Sequence, residues 1–242
     1  MFYQQKLYDG VYQIWYTLFF ASQNNEITRI MNLLDIIGPV MVGPSSSHTA
    51  GAVKIGRVCH KLLAEKVVRA DIFFHGSFLA TGKGHGTNMA LVAGLMGMKP
   101  DDNRIPDSLN IAKERGMQVT FGVSDLKEAH PNTAQLRLTG VTGRKLEVVG
   151  ESIGGSRINI AKIDGIDTNF SGDYPTLVVH NIDQPGHVSE VTSMLAHKSV
   201  NIAAMQLYRS NRGGEAVMVV ECDQEVPQEG IKWLEKAEGV VK

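Results

Sequence analysis

The chain has 242 residues, of which 43 % are apolar and 20 % charged, enough to build the core of one large domain or of two smaller ones. Its net charge of −1 argues against nucleic-acid binding, which needs a basic excess or a basic patch. The apolar run Val11–Ala21 falls short of the roughly 20 residues that a membrane-spanning helix needs. We therefore expect neither a nucleic-acid nor a membrane partner.

The chain has only two cysteines, Cys59 and Cys222, and they lie far apart in sequence. They cannot form a disulfide framework, so we expect a reducing, cytoplasmic setting. An iron–sulfur cluster takes several cysteine thiolates, which excludes a self-contained cluster. The histidines show no recognised metal-binding spacing, and we predict no metal site on this chain.

Residues 1–30 differ in composition from the rest, since they hold four of the six tyrosines. We interpret them as an extension to the fold, with Met31 as an alternative start. An extra helix packed on the surface is the other interpretation.

A run of hydroxyls with one imidazole precedes the first predicted helix, in which Ile55, Val58 and Leu62 recur at helical spacing. The run consists of Ser45, Ser46, Ser47, His48 and Thr49. A helix N-terminus stabilises an anion, and the hydroxyls add donors for a bound carboxylate. Helix capping also favours serine and threonine, so both interpretations stay open.

A second polar segment follows the strand predicted over residues 70–74. His75, Gly76 and Ser77 leave that strand, and the loop over residues 81–88 carries Gly82, Gly84 and Gly86. Glycines permit positive φ and close backbone approach to a ligand, toward which Ser77, His85 and Thr87 would point. The segment misses the phosphate-loop pattern in its spacing and its Ser/Thr position, and a plain flexible turn is the alternative.

The remaining pattern predicts two units joined by a linker at residues 171–173. In the first unit a helix is predicted over residues 107–115 and strands over 118–121, 134–139, 145–149 and 157–163. In the second unit strands are predicted over 176–182, 201–208, 215–221 and 240–241, with helices over 188–197 and 228–237. The second unit thus has the order βαββαβ of a ferredoxin-like sandwich.

The turn Asp183–His187 lies between a predicted strand and helix of the second unit. With Gly186 in the turn and Asn201 opening the next strand, it could bind an amino acid's carboxylate and ammonium. An ordinary Pro-Gly turn is the alternative. Asp183, Gly186, His187 and Asn201 are the candidate regulatory residues.

Taken together, these motifs resemble one family. The segments 43–49, 75–77, 81–87, 130–132 and 151–155 occur in the order and spacing of the β subunit of bacterial iron–sulfur L-serine dehydratases. The segment 183–222 resembles that family's C-terminal ACT domain, an amino-acid-sensing module. Two positions depart from the family pattern: Ala52 stands where proline is usual, and Asn88 where aspartate is usual, which puts a carboxylate role there in doubt.

The resemblance implies an α/β (α+β) fold, with a serine dehydratase β-chain or allosteric substrate-binding-type domain over residues 31–170 and an ACT domain over residues 175–242. It implies that L-serine loses water and then yields pyruvate and ammonia. The family uses a [4Fe-4S] cluster, which belongs to a separate α subunit. That α subunit is the expected partner, together with self-association through the ACT domain and L-serine as ligand.

The resemblance also assigns the site residues. His48 and His85 are the candidate catalytic residues, in substrate positioning, with the base coming from elsewhere. The candidate substrate-binding residues are Ser45, Ser46, Ser47, Thr49, His75, Ser77, Gly84, Gly86 and Thr87. The first domain also resembles an allosteric domain of some phosphoglycerate dehydrogenases, so a regulatory serine site is an alternative within the family. A non-catalytic amino-acid sensor that regulates a partner is the alternative from another class.

Overall fold

The computed structural model describes residues 40–241, so the predicted N-terminal extension lies outside the described residues. The strands are β1 (Val67–His75), β2 (Gln118–Val123), β3 (Asn132–Gly140), β4 (Lys145–Gly154), β5 (Arg157–Ile163), β6 (Ile166–Phe170), β7 (Thr176–Ile182), β8 (Ile202–Arg209) and β9 (Glu215–Cys222). The α-helices are α1 (Ala52–Leu63), α2 (Gly76–Thr81), α3 (Thr87–Leu95), α4 (Ser108–Glu114), α5 (His187–His197) and α6 (Gln228–Leu234). A π-helical turn, Ser46–Gly51, precedes α1, and a 3-10 turn, Ile105–Asp107, precedes α4.

The first six strands form one sheet in the order β2-β1-β3-β4-β5-β6. Only the β1–β2 pair is parallel, because α2, α3 and α4 form the crossover between these two strands. Side chains along β1 alternate between buried and partly exposed positions, as in a strand that packs its two faces differently.

Helices α1 and α3 pack backbone to backbone through two glycines. A Cβ at Gly56 would lie 2.3 Å from the Leu91 carbonyl oxygen, and a Cβ at Gly94 would lie 2.2 Å from that of Val53. No larger residue fits at this crossing. The close packing fixes the relative positions of the segments that lead into the two helices, residues 45–51 and 82–86.

The last three strands form a second sheet in the order β7-β9-β8. On one face, α5 and α6 bury Leu195 and Leu234 with Met218 and Val220. On the other face, Val217 and Val219 belong to the same apolar core as Phe170 of the first sheet. The second sheet is therefore covered by its own helices on one side and by the first domain on the other.

This architecture confirms the predicted α/β class with a ferredoxin-like second unit. The sequence pattern does not predict two short elements, helix α2 and strand β6. The last predicted strand was wrong in detail, because it is reduced to a single bridge between Asn181 and Val240. Helix α2 and β6 have only six and five residues, too short for a periodic pattern to emerge.

Within residues 40–241, none of the helices has the length and apolar character required to cross a bilayer.

Candidate functional site

The serine run adopts a widened helical turn. Ser45 is extended, with φ −139° and ψ 126°, and its Oγ accepts a hydrogen bond from the His48 backbone N–H at 3.1 Å. The π-helical turn Ser46–Gly51 follows it directly. The capping interpretation is therefore correct for Ser45, while the hydroxyls that follow it have other contacts. Single π turns occur frequently at functional sites in proteins.

Two serines, one in β4 and one in the turn between β4 and β5, hold the serine turn in place. Ser152 Oγ donates to the Ser47 carbonyl at 2.9 Å, and Ser156 Oγ donates to the Ser46 carbonyl at 3.3 Å. Both serines are buried. A Cβ at Gly51 would lie 2.2 Å from Ser152 Oγ, so the close approach of turn and sheet requires glycine there. The sequence pattern identifies residues 151–155 only as a family landmark and does not predict this contact.

Helix α2 is positioned by the segment before β3. The Ser77 N–H donates to the Pro131 carbonyl at 2.7 Å. Gly76 has φ +54°, and a Cβ there would lie 2.5 Å from the same carbonyl oxygen. This left-handed backbone and the close contact both favour glycine. The segment 130–132, also noted only as a landmark, thus positions Ser77 and, one turn later, Thr81.

His48 lies at the centre of the hydrogen bonds that join these segments. Its Nδ1 lies 3.1 Å from Ser47 Oγ, and its Nε2 lies 2.9 Å from Thr81 Oγ1 and 3.3 Å from Ser77 Oγ. Thr81 Oγ1 donates its hydrogen to the Ser77 carbonyl at 2.9 Å. Its oxygen therefore accepts from His48, which assigns the imidazole proton to Nε2 and leaves Nδ1 to accept from Ser47.

Burial reinforces the neutral state of His48. The residue is only 8 % exposed, and its ring packs edge-on against Phe78 with 5.2 Å between ring centroids. This burial, with His85 acting in the same direction, lowers the pKa of His48 against the opposing effect of a hydrogen bond with the Ser77 backbone. Near neutral pH the ring is an uncharged, fixed part of the site.

His85 lies beside His48 but has a different role in the hydrogen bonding. The two ring centroids are 4.9 Å apart, and Thr49 Oγ1 donates to the His85 carbonyl at 3.2 Å. His85 Nδ1 lies 3.1 Å from the Thr81 carbonyl, which can only accept, so Nδ1 carries the proton. Its Nε2 is then a bare nitrogen on a partly exposed side chain, available to an external donor.

The structure brings four of the nine predicted substrate-binding residues into the hydrogen bonds around His48 and His85. Those joined directly to His48, to one another or to His85 are Ser45, Ser47, Ser77 and Thr49. Ser46 lies in the same turn and is partly exposed, and its hydroxyl has no hydrogen-bond partner within residues 40–241. Thr81 and Phe78 were missed, because nothing in the sequence pattern indicated that residues 76–81 are helical.

Two predicted residues do not reach this group. His75 Nδ1 lies 3.3 Å from both the Leu126 N–H and the Ser124 carbonyl, so its contacts are with the segment after β2. Thr87 is fully buried, and its hydroxyl has no partner within the described part of the chain. The expectation that Thr87 points at a ligand is therefore wrong, because its side chain packs beneath the loop, against Gly82.

The glycines of this loop also differ from one another. Gly86 has the expected positive φ, +70°. Gly82 has φ −59°, and its Cβ would lie 2.1 Å from the Phe78 carbonyl oxygen. Gly84 is exposed and its Cβ would meet only the Thr81 carbonyl, at 3.6 Å. Asn88, at the position where the family resemblance leads us to expect aspartate, is partly buried with its Oδ1 unpartnered among residues 40–241.

The carboxylate of Asp183 in the second unit is already engaged. Its Oδ2 accepts from the Gly213 N–H at 3.1 Å and pairs with Arg209 Nη1 at 3.0 Å. The Gly213 hydrogen bond, together with Arg209, lowers the pKa of Asp183. The side chain therefore holds the turn against the β8–β9 hairpin.

The other predicted regulatory residues are dispersed. Gly186 has φ +109° with open space around it, and His187 is buried with Nδ1 3.7 Å from Glu190 Oε2. Asn201 bonds to Asp223 at 2.6 Å. The expectation that Asn201 lies near the turn is wrong within one chain: β7 and β8 run in the same direction, so Asn201, before β8, lies at the opposite end of the sheet.

The cysteines do not fit an iron–sulfur cluster. Cys59 and Cys222 are fully buried in separate apolar cores, and burial raises the pKa of each thiol above its usual value. Both are free thiols. In the described range 40–241, histidine, cysteine, aspartate and glutamate nowhere form a group of three that could bind a metal ion.

Comparison with known proteins agrees with this architecture. The family model described as "Serine dehydratase beta chain" matches residues 32–162, and the ACT domain model matches residues 176–239. The chain is 41 % identical over 215 residues to the probable L-serine dehydratase beta chain of Bacillus subtilis (strain 168), covering 88 % of this chain and 97 % of that protein.

Two further relatives are informative. The chain is 38 % identical over 191 residues to the L-serine dehydratase beta chain of Peptoniphilus asaccharolyticus, covering 78 % of this chain and 86 % of that one. It is 28 % identical over 188 residues to D-3-phosphoglycerate dehydrogenase of Methanocaldococcus jannaschii, covering 76 % of this chain but only 35 % of that enzyme. The family match over residues 32–162 and the two long dehydratase alignments lead to one conclusion: this chain belongs to the serine dehydratase beta chain family.

Proposed function

We propose that this chain is the β subunit of a heteromeric L-serine dehydratase, which converts L-serine to pyruvate and ammonia. The observation that carries the proposal is the network around His48. It joins residues from the serine turn, α2 and the loop before α3 into one polar group. Two beta chains that are named for this activity align with most of the chain.

The network supports a substrate-positioning role. The Ser46 hydroxyl, which has no partner among residues 40–241, can donate to a substrate carboxylate, and the bare Nε2 of His85 can accept from the substrate's ammonium or hydroxyl group. His48 is fully occupied by Ser47 and Thr81, so it fixes the serine turn against α2. Holding the substrate in one orientation lowers the entropic part of the barrier to elimination.

The remaining chemistry is assigned to a partner. Because the cysteines of this chain are buried apart from each other, we place the [4Fe-4S] cluster on a separate α subunit. The active site then forms where the α subunit covers the His48 network. Two free buried thiols are consistent with a cytoplasmic enzyme.

Anaerobic co-expression with the cognate α chain tests the proposal. The purified pair should form pyruvate from L-serine, and this chain alone should be colourless and inactive. A brown, cluster-bearing preparation of this chain alone would contradict the subunit assignment. An active α chain whose rate does not change when this chain is added would contradict the shared site.

For the second unit we propose regulation by a small amino acid, with L-serine as first choice, and self-association of the chain. The turn 183–187 ends at the start of α5, where free N–H groups favour a carboxylate. Strand β8 is an edge of the described sheet and exposes Met205 and Leu207. Calorimetry of the full chain with L-serine tests the first part, and light scattering of the full chain tests the second.

A second candidate function has an observation in its favour. The relative in M. jannaschii is named as a dehydrogenase, so a long alignment with this chain also exists outside the dehydratases. The chain would then be a non-catalytic sensor whose His48 network binds an amino acid. In that case His48→Ala would abolish amino-acid binding by the chain alone and leave the turnover of the assembled enzyme unchanged.

A further inference from the structure

A cavity lies between the two sheets, on the side of the molecule where α1 ends. Its volume is about 170 Å³, and it is lined from the first domain by Leu62, Leu146 and Ile163 and from the second by Leu177, Val179 and Leu234. These side chains make its wall aliphatic. None of them takes part in the His48 network or in the turn 183–187, so the cavity is separate from both proposed sites.

The open edge of β7 adds backbone groups to this wall. Strand β7 pairs with β9 on one side only. On its other side the His180 carbonyl accepts from the Val241 N–H at 2.7 Å, and the Ile182 N–H donates to the Gly239 carbonyl at 3.0 Å. Backbone groups alternate in direction along a strand, so the N–H and carbonyl of Val178 face the same open edge, where no segment of residues 40–241 bonds to them.

Two opposite charges line the same space without pairing. Arg144 and Glu235 both line the cavity and also border an adjacent surface depression. Within residues 40–241, neither side chain forms a hydrogen bond or an ion pair, with each other or with a third residue. Lys61, a third charged lining residue, is 3.9 Å from Glu225 and largely exposed. An anion-binding and a cation-binding group are thus both available beside an aliphatic chamber.

We propose that this interdomain cavity binds a branched aliphatic α-amino acid, such as L-leucine, L-isoleucine or L-valine. The ligand's carboxylate pairs with Arg144, its ammonium with Glu235, and its side chain enters the aliphatic chamber. An extended ligand backbone can also bond to the Val178 edge, as peptides do at an open strand. The inference does not depend on the catalytic function proposed above.

The size and chemistry of the cavity favour this class over others. A dry cavity of about 150 Å³ is known to hold a six-carbon ring, so about 170 Å³ suits a side chain of three or four carbons with its α-carbon. L-serine brings no apolar group to the aliphatic wall, and the two-ring side chain of tryptophan exceeds the space. The matching 2-oxo acid keeps the carboxylate but lacks the ammonium that Glu235 would bind.

Isothermal calorimetry on the full chain is the test. L-leucine should release heat with one site per chain. L-serine, which lacks the aliphatic side chain, and 4-methyl-2-oxopentanoate, which lacks the ammonium, should each bind at least about tenfold more weakly at this site. Arg144→Gln should weaken L-leucine binding at least about tenfold, and Arg144→Lys should restore part of it. Arg115→Gln, at an exposed arginine outside the cavity, is the matched control and should bind as the unaltered chain does.

A second variant separates loss of the site from loss of folding. Leu177→Phe adds volume to the cavity wall and should abolish L-leucine binding while the circular dichroism spectrum stays unchanged. The proposal is overturned if none of the three aliphatic amino acids binds at millimolar concentration. It is also overturned if Arg144→Gln and Leu177→Phe both bind L-leucine as tightly as the unaltered chain.

Discussion

The Nε2 atom of His48 lies 2.9 Å from the Thr81 hydroxyl oxygen, although 33 residues separate them in sequence. This hydrogen bond connects the serine turn to helix α2. Because Thr81 donates its own hydrogen to the Ser77 carbonyl, it also determines which nitrogen of His48 carries the proton. The hydroxyl of Ser47 then donates to the other nitrogen.

Thr81→Val should lower kcat/KM of the assembled enzyme about tenfold, because a buried imidazole N–H would lose its acceptor. Thr81→Ser keeps the hydroxyl and should retain most of the activity. The pH profile of kcat/KM should also shift in the valine variant, since His48 is no longer held as the Nε2–H form. If the valine and serine variants were equally active, the hydrogen bond would have no part in positioning.

His48→Ala and His85→Ala should each lower activity of the assembled enzyme by at least about tenfold. This is the lower end of the rate loss that follows when a substrate is held in the wrong position. The two substitutions should affect kcat and KM differently. His85 has the available nitrogen, so its loss should raise KM, whereas loss of His48 should disturb the whole network and lower kcat. His197→Ala, at an exposed histidine on α5, is the control and should have no effect. Normal turnover in both site variants would restrict these motifs to capping and turn roles.

The pH dependence of stability should reveal the lowered pKa of His48. With a folded-state pKa below the ordinary value of 6.5, the unfolded chain binds the extra proton first, so stability falls as pH drops through 6.5 toward the folded-state value. The urea midpoint should therefore fall more between about pH 7.5 and about pH 5.5 in the unaltered chain than in His48→Gln. If the urea midpoint fell equally with pH in the two proteins, His48 would not be held neutral in the folded state.

Leu207→Lys should weaken self-association if chains pair through the β8 edge. Leu207 is 45 % exposed, and a charge on an edge strand opposes pairing with a second strand. Light scattering should show a shift toward the monomer, with the circular dichroism spectrum preserved. Val123→Lys, at an exposed residue of β2, should leave the association unchanged. An unaltered dimer in the Leu207 variant would place the contact elsewhere.

Periodic elements were predictable from the sequence because their patterns are long. Strand β3 and helix α1 each carry enough alternating or helical repeats to determine their type. Helix α2 has only six residues and begins at a glycine with positive φ, so its formation depends on a tertiary contact with Pro131. Local pattern holds no information about such a contact.

The candidate site was predictable in its residue types and only partly in its geometry. The serine run and His85 could be singled out because they are unusually rich in polar groups beside glycines. The contacts of Ser152 and Ser156 with that run could not, since they join residues more than a hundred positions apart. The end-to-end separation of Asn201 from the turn likewise follows from strand order, which the sequence does not state directly.

Val217 and Val219, which reach from the small sheet into the core of the large one, have a consequence for how the chain melts. If the small sheet detached, Phe170 and the apolar surfaces of both sheets would be exposed to water. The free energy of this exposure is proportional to the apolar area. Heating should therefore disrupt both sheets in one cooperative transition. An amino acid bound anywhere on the small sheet would then raise the temperature at which the first domain unfolds as well, although the ligand contacts no atom of the His48 network.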